Sequence, residues 1–347
     1  MKKIILIAGG CSLIGLILMG IAFIGVRGRI TEFSATNVES ERKEYTCSSE
    51  IQNIEADITS DNIEVRTGDV EYVTVTCYDR PDYSEYVITE SGDTLKIHYK
   101  DLNGPIHFVV NVGYVPDEPV TIIVPESFAG KLELKSTSGG ILTESMSVSS
   151  LDLNCTSGQI SVQDIVSEGK INLASTSGSI HIEDSEGSGI TASNTSGGIS
   201  IDDTSVRGDI TLNCNSGSIN MSTVTAEGDI KVSTTSGTRN LTDVTAENIT
   251  TNATTGSFKA VRVSANDSIS ASATSGTTRF EELYAGRSIK INANSGSVSG
   301  SIIGNEDNFS IIANTTSGSC NLDSKAEGEK RLEISTTSGS VNICFTE

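Results

Sequence analysis

The tripeptide Thr137-Ser138-Gly139 opens a series of related sequences that ends at Thr337-Ser338-Gly339. Degenerate copies such as Asn215-Ser216-Gly217 lie between them. Successive glycines are 19 to 22 residues apart. A fixed period of this length is typical of a solenoid, in which each repeat forms one coil. The eleven glycines of the series are Gly139, Gly158, Gly178, Gly197, Gly217, Gly237, Gly256, Gly276, Gly296, Gly318 and Gly339.

The residues around each glycine alternate between apolar and polar. Such a period of two indicates short strands with one buried face, and no helical period interrupts it. Parallel strand crossings are right-handed in nearly all proteins. We therefore predict an all-β fold, a right-handed parallel β-solenoid with coils of about 20 residues. The residue seven positions before the glycine is always Ile or Leu: Leu132, Leu151, Ile171, Ile190, Ile210, Ile230, Ile249, Ile269, Ile289, Ile311 and Leu332.

The tripeptide itself lies where one strand must turn into the next. Glycine adopts a positive φ without steric penalty, which a sharp corner requires. Ser and Thr hydroxyls bond nearby backbone groups in turns, and stacked coils could align them in a ladder. We expect the eleven glycines to be structural turns, and the alternative is that these corners bind a ligand.

Residues Ile4 to Val26 are 23 consecutive uncharged residues, enough for a helix to cross a bilayer. A cleaved signal peptide is the alternative, although no Ala-x-Ala site follows the apolar run. Lys2 and Lys3 favour an amino terminus inside the cell. We expect residues 1–30 to be a single-pass transmembrane anchor at the cell membrane, with the carboxyl-terminal region extracytoplasmic. Residues 31–46 read as a polar stalk.

Residues 47–130 are expected to form irregular amino-terminal coils that cap the regular array at 131–347. The stretch Thr59–Val65 looks like a worn copy of the repeat, and Glu90-Ser91-Gly92 with the apolar residues after it reads as another. A separate small β-sandwich is the alternative for this region. The chain ends on a strand, Ser340–Phe345, whose edge must be covered or paired.

Acidic residues recur five or six positions after the glycines. Stacking would place their carboxylates about 4.8 Å apart. Repulsion between them could be relieved by Ca²⁺ or by a cationic peptide, and the alternative is a solvated face. The candidate metal ligands are Glu183, Asp184, Asp202 and Asp203, although no glycine-rich calcium motif accompanies them, so we predict no cofactor beyond weakly held Ca²⁺. The full set is Glu144, Asp164, Glu183, Asp184, Asp202, Asp203, Asp243, Glu281, Glu282 and Asp323.

The composition excludes several functions. The formal net charge of -21 opposes nucleic-acid binding. His98, His107 and His181 are scattered, and no catalytic arrangement is visible. The coils vary by only three residues in length, too little for the long excursions that build a groove wall on a solenoid. We therefore predict that the chain is not an enzyme.

Seven cysteines occur in the sequence, and none forms a Cys-x-x-Cys pair. Cys155 and Cys214 occupy the same position in coils three apart. Their separation of about 14 Å is too large for a disulfide. A bond between Cys47 and Cys77 is left open.

Val120–Pro125, Leu132–Leu134 and Thr137–Ile141 resemble segments of the bacterial β-strand-repeat proteins known as putative adhesins, which have an amino-terminal membrane anchor. The resemblance covers about residues 47 to 347. It implies a surface-displayed solenoid that acts by binding, with a cell-surface glycan, a protein or a cationic peptide as partner. Some relatives resemble envelope-stress proteins, which implies a structural or sensory role as the alternative, and a glycan-active enzyme is the remaining possibility. The resemblance implies no catalytic residues.

Overall fold

The computed structural model describes residues 40–81, 83–102 and 118–347. These residues form strands joined by turns, and a 3-10 helix spans Glu306–Asn308. In chain order the strands are β1 (Glu41–Thr46), β2 (Asn53–Ile58), β3 (Ile63–Gly68), β4 (Thr74–Asp79), β5 (Ser84–Ser91), β6 (Thr94–Asp101), β7 (Val120–Pro125), β8 (Lys131–Ser136), β9 (Ile141–Val148), β10 (Ser150–Cys155), β11 (Ile160–Ser167), β12 (Lys170–Ser175), β13 (Ile180–Glu183), β14 (Glu186–Gly187), β15 (Gly189–Ser196), β16 (Ile199–Val206), β17 (Ile210–Ser216), β18 (Ile219–Ala226), β19 (Ile230–Ser236), β20 (Arg239–Thr255), β21 (Phe258–Ser275), β22 (Thr278–Ala285), β23 (Ser288–Ser295), β24 (Val298–Ile303), β25 (Phe309–Ser317), β26 (Lys330–Ser338) and β27 (Val341–Thr346).

Each coil contributes one strand before its Thr-Ser-Gly corner and one after it. Before the corner, Leu151 pairs in parallel with Leu132 on one side and Ile171 on the other. After the corner, Ile160 pairs in the same way with Ile141 and Ile180. These offsets of 19 and 20 residues confirm the all-β solenoid with coils of about 20 residues. The right-handed winding stays a prediction.

The core is a column of branched aliphatic side chains that runs through the stacked coils. The Ile or Leu seven residues before the glycine is at most 1 % exposed in all eleven coils. Full burial of such a side chain contributes about 1.5–3 kcal/mol. This column was predicted from the sequence, and the structure confirms it.

The worn copy at Thr59–Val65 stacks directly on the array. Ile54 pairs with Leu132 and Ile63 with Ile141, so β2 and β3 extend the same two sheets. The second expected copy is wrong in register. Leu95 lies beside Ile54, before the corner rather than after it, because β6 begins straight after the turn that contains Gly92.

At both ends of the solenoid, the order of the coils in space differs from their order in the chain. The strand β2 lies between β6 and β8. Likewise β26 lies between β23 and β25, and β27 pairs with β24. Cys320 bridges to the other side of Val341. The chain ends on a strand, as expected, and its edge is paired with β24 on one side and bridged by Cys320 on the other, so the requirement that this edge be covered or paired is met.

The strand β1 lies within the segment 31–46 that the sequence suggested as a polar stalk. Its alternating side chains reach neighbouring residues: the Lys43 ammonium donates to the Tyr86 carbonyl over 2.6 Å, and the Tyr45 hydroxyl donates to Glu90 over 2.6 Å. After β1, the Cys47 amide bonds to the Val73 carbonyl, and Cys47 is a free thiol. Cys77 lies four residues further along that neighbour, about 13 Å away, so the disulfide left open is not formed.

The described residues belong to two compact units. The solenoid comprises residues 42–78, 86–100 and 118–347. In the smaller unit, Arg80 and Ser84 exchange backbone hydrogen bonds, and Leu102 donates to the Tyr83 carbonyl. Helices long and apolar enough to span a bilayer are absent from the described ranges. The expected anchor at Ile4–Val26 lies outside them.

Candidate functional site

The glycines of the Thr-Ser-Gly corners lie against the backbone of the neighbouring coil. A Cβ added to any of the eleven would fall 2.5 Å or less from a carbonyl oxygen of that coil. A positive φ occurs at eight of them, from Gly197 to Gly339, but not at Gly139, Gly158 or Gly178. The expectation that φ explains every corner glycine is therefore wrong. Close stacking of the coils is the reason common to all.

In five coils the residue three positions before the glycine bonds to the backbone of a neighbouring coil: Cys155, Asn194, Cys214, Thr315 and Thr336. Cys155 donates to the Gly139 carbonyl over 3.1 Å, and the Asn194 amide donates to the Gly178 carbonyl over 2.5 Å. The Gly178 amide donates in turn to Ser175 over 3.0 Å. The residues here are small, and Cys, Ser, Asn or Thr occupies eight coils while Ala253, Ala273 and Ala293 occupy the others, so small size is the requirement common to all. Burial raises the pKa of the Cys155 thiol, and Cys155 and Cys214 are free, as their predicted separation requires.

The Thr and Ser of the tripeptides face solvent in all eleven coils. The expected hydroxyl ladder is not seen between them in the described part of the chain. Hydroxyl pairs occur instead one residue after the glycine, as in Ser218 with Thr238 at 2.8 Å and Ser257 with Thr277 at 3.1 Å. The fold thus uses the glycine and the residues on either side of the tripeptide, and leaves the outward Thr and Ser hydroxyls exposed.

An open groove of about 820 Å³ follows this corner from coil to coil, and we name it the corner groove. It runs from Asp57 to Thr235, six coil steps of about 4.8 Å or roughly 29 Å in total. Its only charged lining residues in the described chain, Asp57 and Lys135, are neighbours in register. A further 570 Å³ groove with no charged lining residue follows the same corner between Ala253 and Thr337. The residues of the corner groove are Asp57, Lys135, Ser136, Thr137, Asn154, Cys155, Thr156, Ala174, Ser175, Thr176, Ser193, Asn194, Thr195, Asn213, Cys214, Asn215, Ser233, Thr234 and Thr235.

The presence of the corner groove shows that one sequence prediction, the absence of a groove on coils of nearly equal length, is wrong. Equal coil lengths were taken to exclude a groove, because no long loop could form its wall. The structure forms it without a loop: the bend at the corner turns the chain, and the side chains four residues before the glycine stand on one side while those two before it stand on the other. Its floor is the small residue three before the glycine.

The acidic residues six positions after the glycine have a backbone role. This position has a φ between 44° and 55° in eight coils. Asp is among the residues that tolerate the left-handed region best. The shape of the coil therefore accounts for much of the acidic pattern. The eight residues are Ser145, Asp164, Asp184, Asp203, Thr223, Asp243, Arg262 and Glu282.

The four candidate metal ligands do not converge. Glu183 and Asp202 are neighbours in register, whereas Asp184 and Asp203 lie at the exposed corner beyond them. His181 stands between the first two, with Nε2 at 3.2 Å from Glu183 and Nδ1 at 4.0 Å from Asp202. No set of three His, Cys, Asp or Glu side chains in the described ranges is arranged to hold a metal ion.

We name the stacked acidic residues five or six positions after the glycines the acidic column. Arg262, a cation, occupies one position of this column. Arg262 binds Asp243 of the neighbouring coil through two hydrogen bonds of 2.5 and 2.6 Å. These bonds hold the pKa of Asp243 below its usual range. His98 lies in β6, in register with Asp57, and His107 lies outside the described residues. Sequence reasoning missed Arg239, which interrupts the apolar column two residues after the glycine; that interruption was the available signal.

The chain belongs to the Toastrack DUF4097 family, whose sequence pattern matches residues 51–207 and 209–347. No curated protein matches it. Among solved structures, a putative adhesin from Parabacteroides merdae is similar, with 12 % identity, a TM-score of 0.43, and coverage of 77 % of this chain and 98 % of that one. A putative lipid binding protein from Parabacteroides distasonis shares 19 % identity, with a TM-score of 0.41 and coverage of 77 % and 98 %. A putative adhesin from Bacteroides fragilis shares 10 % identity, with a TM-score of 0.33 and coverage of 88 % and 97 %.

Proposed function

We propose that this protein is a non-catalytic binding module whose corner groove holds an extended, uncharged, polyhydroxylated polymer, as in a neutral cell-surface glycan. The observation that carries the proposal is the continuous lining of Ser, Thr and Asn side chains across successive coils. Hydroxyl and amide groups both donate and accept hydrogen bonds, as the hydroxyls of a sugar do. An extended polymer would meet the same groups at each coil.

The chemistry of the groove argues against other ligands. Apolar ligands bind in pockets lined mainly by apolar and aromatic side chains, and no lining residue of the corner groove is aromatic. Anionic polymers would be repelled by a net charge of -21. A cationic ligand would find one carboxylate in the groove, Asp57, with Lys135 beside it. An uncharged polar polymer is therefore the ligand that best fits the Ser, Thr and Asn side chains of the groove.

Binding at each coil should be weak, because no aromatic platform supports a sugar ring. Repetition compensates for this, since several linked weak contacts act together once the first has formed. We therefore expect affinity to rise steeply with the length of the glycan until it fills about six coil steps. Salt should have little effect, because no charge pair is formed.

The test is binding of the full-length protein to a glycan array, followed by calorimetry on the glycans that bind. Ser193 is a half-buried residue in the middle of the groove, and Ser193→Trp should block it. Thr245→Trp is the matched control, since Thr245 is exposed and lies in neither groove. We expect Ser193→Trp to weaken binding at least tenfold and Thr245→Trp to leave it unchanged. Equal binding by both variants, or no neutral glycan bound by the wild type, would refute the proposal.

We further propose that Ile4–Val26 anchors the chain in the cell membrane and displays the solenoid outside. The length of the apolar run supports this. Protease added to intact cells should digest the solenoid, and the mature protein should still begin with Lys2 and Lys3. Amino-terminal sequencing that starts near residue 27 would show a cleaved signal instead.

A further inference from the structure

Arg239 lies inside the solenoid core. It stands two residues after Gly237, where the neighbouring coils carry Ile219 and Phe258, and it is 0 % exposed. Its Nη1 donates to the Thr251 hydroxyl over 2.9 Å and to the Ser272 carbonyl over 3.3 Å. Since Thr251 and Ser272 belong to the next two coils, the side chain crosses the stack. Its guanidinium carbon lies 5.4 Å from the centroid of the Phe258 ring.

Two of the guanidinium nitrogens have no acceptor. Nε and Nη2 are buried and make no hydrogen bond. A buried donor left unsatisfied is costly, and a buried charge without a counter-charge costs several kcal/mol. Burial lowers the pKa of Arg239 to about 10, so the group is still charged at neutral pH.

No protein carboxylate balances this charge within the described ranges. Arg239 takes part in no ion pair there. Asp61 is the other charged side chain among the buried residues, and it accepts a hydrogen bond from Tyr86. Asp61 lies one coil before Gly139, against which it stacks. It is therefore six coil steps from the coil of Gly237, a distance of about 29 Å. At that distance it cannot act as the counter-ion.

The buried side chains next to Arg239 are small. Five residues before the glycine, the buried position holds Leu in several coils, such as Leu173 and Leu212, and Ile291 further on. In the two coils that Arg239 crosses, the same position holds Thr251 and Ala271. These smaller side chains provide the space that the guanidinium enters.

We propose that the Nε and Nη2 edge of Arg239 binds a small monovalent anion, chloride, within the solenoid core. This edge presents two parallel N–H groups, the arrangement through which arginine holds anions in a bidentate manner. A water molecule would satisfy a hydrogen bond but would leave the charge uncompensated. A polyvalent anion such as phosphate would bring more negative charge than a single buried guanidinium balances.

Because the site is closed, the anion enters as the coils assemble, and binding is linked to folding. A ligand that binds only the folded state stabilises it in proportion to the logarithm of its concentration. A tenfold rise in chloride above its Kd should therefore raise the unfolding midpoint by roughly 2–3 °C. Sodium gluconate at equal ionic strength should not do so, since gluconate is too large for the site.

The decisive experiment is diffraction from crystals of the wild-type protein grown in bromide. We expect an anomalous peak within hydrogen-bonding distance of both Nε and Nη2 of Arg239. Water at this place, or no density, would overturn the proposal. This measurement needs no variant and does not depend on how a substituted chain folds.

A solution experiment gives an independent answer. The unfolding midpoint of the full-length wild type should rise with chloride and not with gluconate, and Arg239→Met should remove this difference. Met is close to Arg in length and carries no charge, so it fills the same space. A wild-type midpoint that is equal in the two salts would overturn the proposal, as would an equal chloride response in Arg239→Met.

Discussion

Replacement of Gly197 by Ala tests the contact that sets the spacing of the coils. Gly197 has a φ of +138°, and a Cβ there would lie 2.5 Å from the carbonyl oxygen of Gly178 and 3.0 Å from its carbon. The adjacent Gly198 is a matched control within the same corner. A Cβ at Gly198 would lie 3.4 Å from the nearest atom, the Ser218 carbonyl oxygen, which is an ordinary contact.

The magnitude follows from two separate effects at Gly197. A non-glycine residue held in so unfavourable a backbone region costs about 1–3 kcal/mol. Overpacking adds about 1–3 kcal/mol, and here the contacted atoms are backbone, so no rotamer change relieves it. We expect Gly197→Ala to lower the free energy of unfolding by about 4 kcal/mol, and Gly198→Ala to be neutral or to stabilise by up to about 1 kcal/mol.

The assay is thermal unfolding of the full-length chain, followed by circular dichroism, with the wild type and both variants in one buffer. For a solenoid of roughly 280 residues, a loss of about 4 kcal/mol corresponds to a midpoint lowered by about 7 °C. Gly178→Ala separates the two effects, because Gly178 has no positive φ while its Cβ would overlap the Gly158 carbonyl. If Gly197→Ala lost no more stability than Gly198→Ala, the stacking argument would be wrong.

Three further predictions concern the core, the left-handed residue six positions after the glycine, and the first strand. Ile210→Asp buries an unpaired charge at a 0 % exposed position and should lower the unfolding midpoint strongly, whereas Thr211→Asp on the outer face should not; equal midpoints would contradict the inward assignment. Asp203→Val should cost about 1–2 kcal/mol because φ is +44°, while Asp203→Asn should be tolerated, and chemical unfolding compares them. The hydrogen bond from the Tyr45 hydroxyl lowers the pKa of Glu90 in the folded protein. The stability that ionised Glu90 contributes is therefore complete above the ordinary glutamate pKa of about 4.3, and it is lost as the pH falls through the lower pKa of the folded state. The difference in midpoint between wild type and Glu90→Gln should therefore shrink below about pH 4, and a pH-independent difference would argue against this bond.

The coil and its core could be predicted from the sequence because they depend on local spacing. An Ile or Leu seven residues before a glycine, with polar residues between, specifies both a strand and its buried face. The same logic located the worn coil at Thr59–Val65. Each of these features is determined within about 20 residues, so a single sequence contains it.

The order of the end coils could not be predicted in this way. Strands of nearly identical pattern can pair with one another in any order, and sequence spacing alone favours the simplest order. In the structure β26 takes the place between β23 and β25, and β2 takes the place between β6 and β8. The order depends on which coil covers the open edge at each end of the solenoid. Such contacts join distant parts of the chain, and the spacing within one repeat does not describe them.

The acidic column shows how a backbone requirement resembles a binding site in a sequence. Spacing placed Asp184 and Asp203 in consecutive coils, which suggested a cation site. The structure gives both residues a left-handed backbone, where Asp is tolerated, and directs Glu183 and Asp202 to another part of the surface. A repeat reproduces every structural need at the same interval, so periodic acidity alone does not identify a ligand.

The same objection applies to the corner groove, and the residue two before the glycine answers it. Glycine at the corner is required by the neighbouring coil, and the small residue three before it packs at the corner and in five coils also bonds to the neighbouring coil. Both are therefore explained by folding. The Thr two before the glycine and the Ser one before it face solvent, and no hydroxyl bond joins them along the described array. Folding explains the glycine but gives the outward Thr and Ser hydroxyls no bond between coils, and the residues two before the glycine, from Thr137 to Thr235, line the corner groove. Hydroxyls that the fold does not use, repeated coil after coil, are the part of this sequence that a ligand best explains.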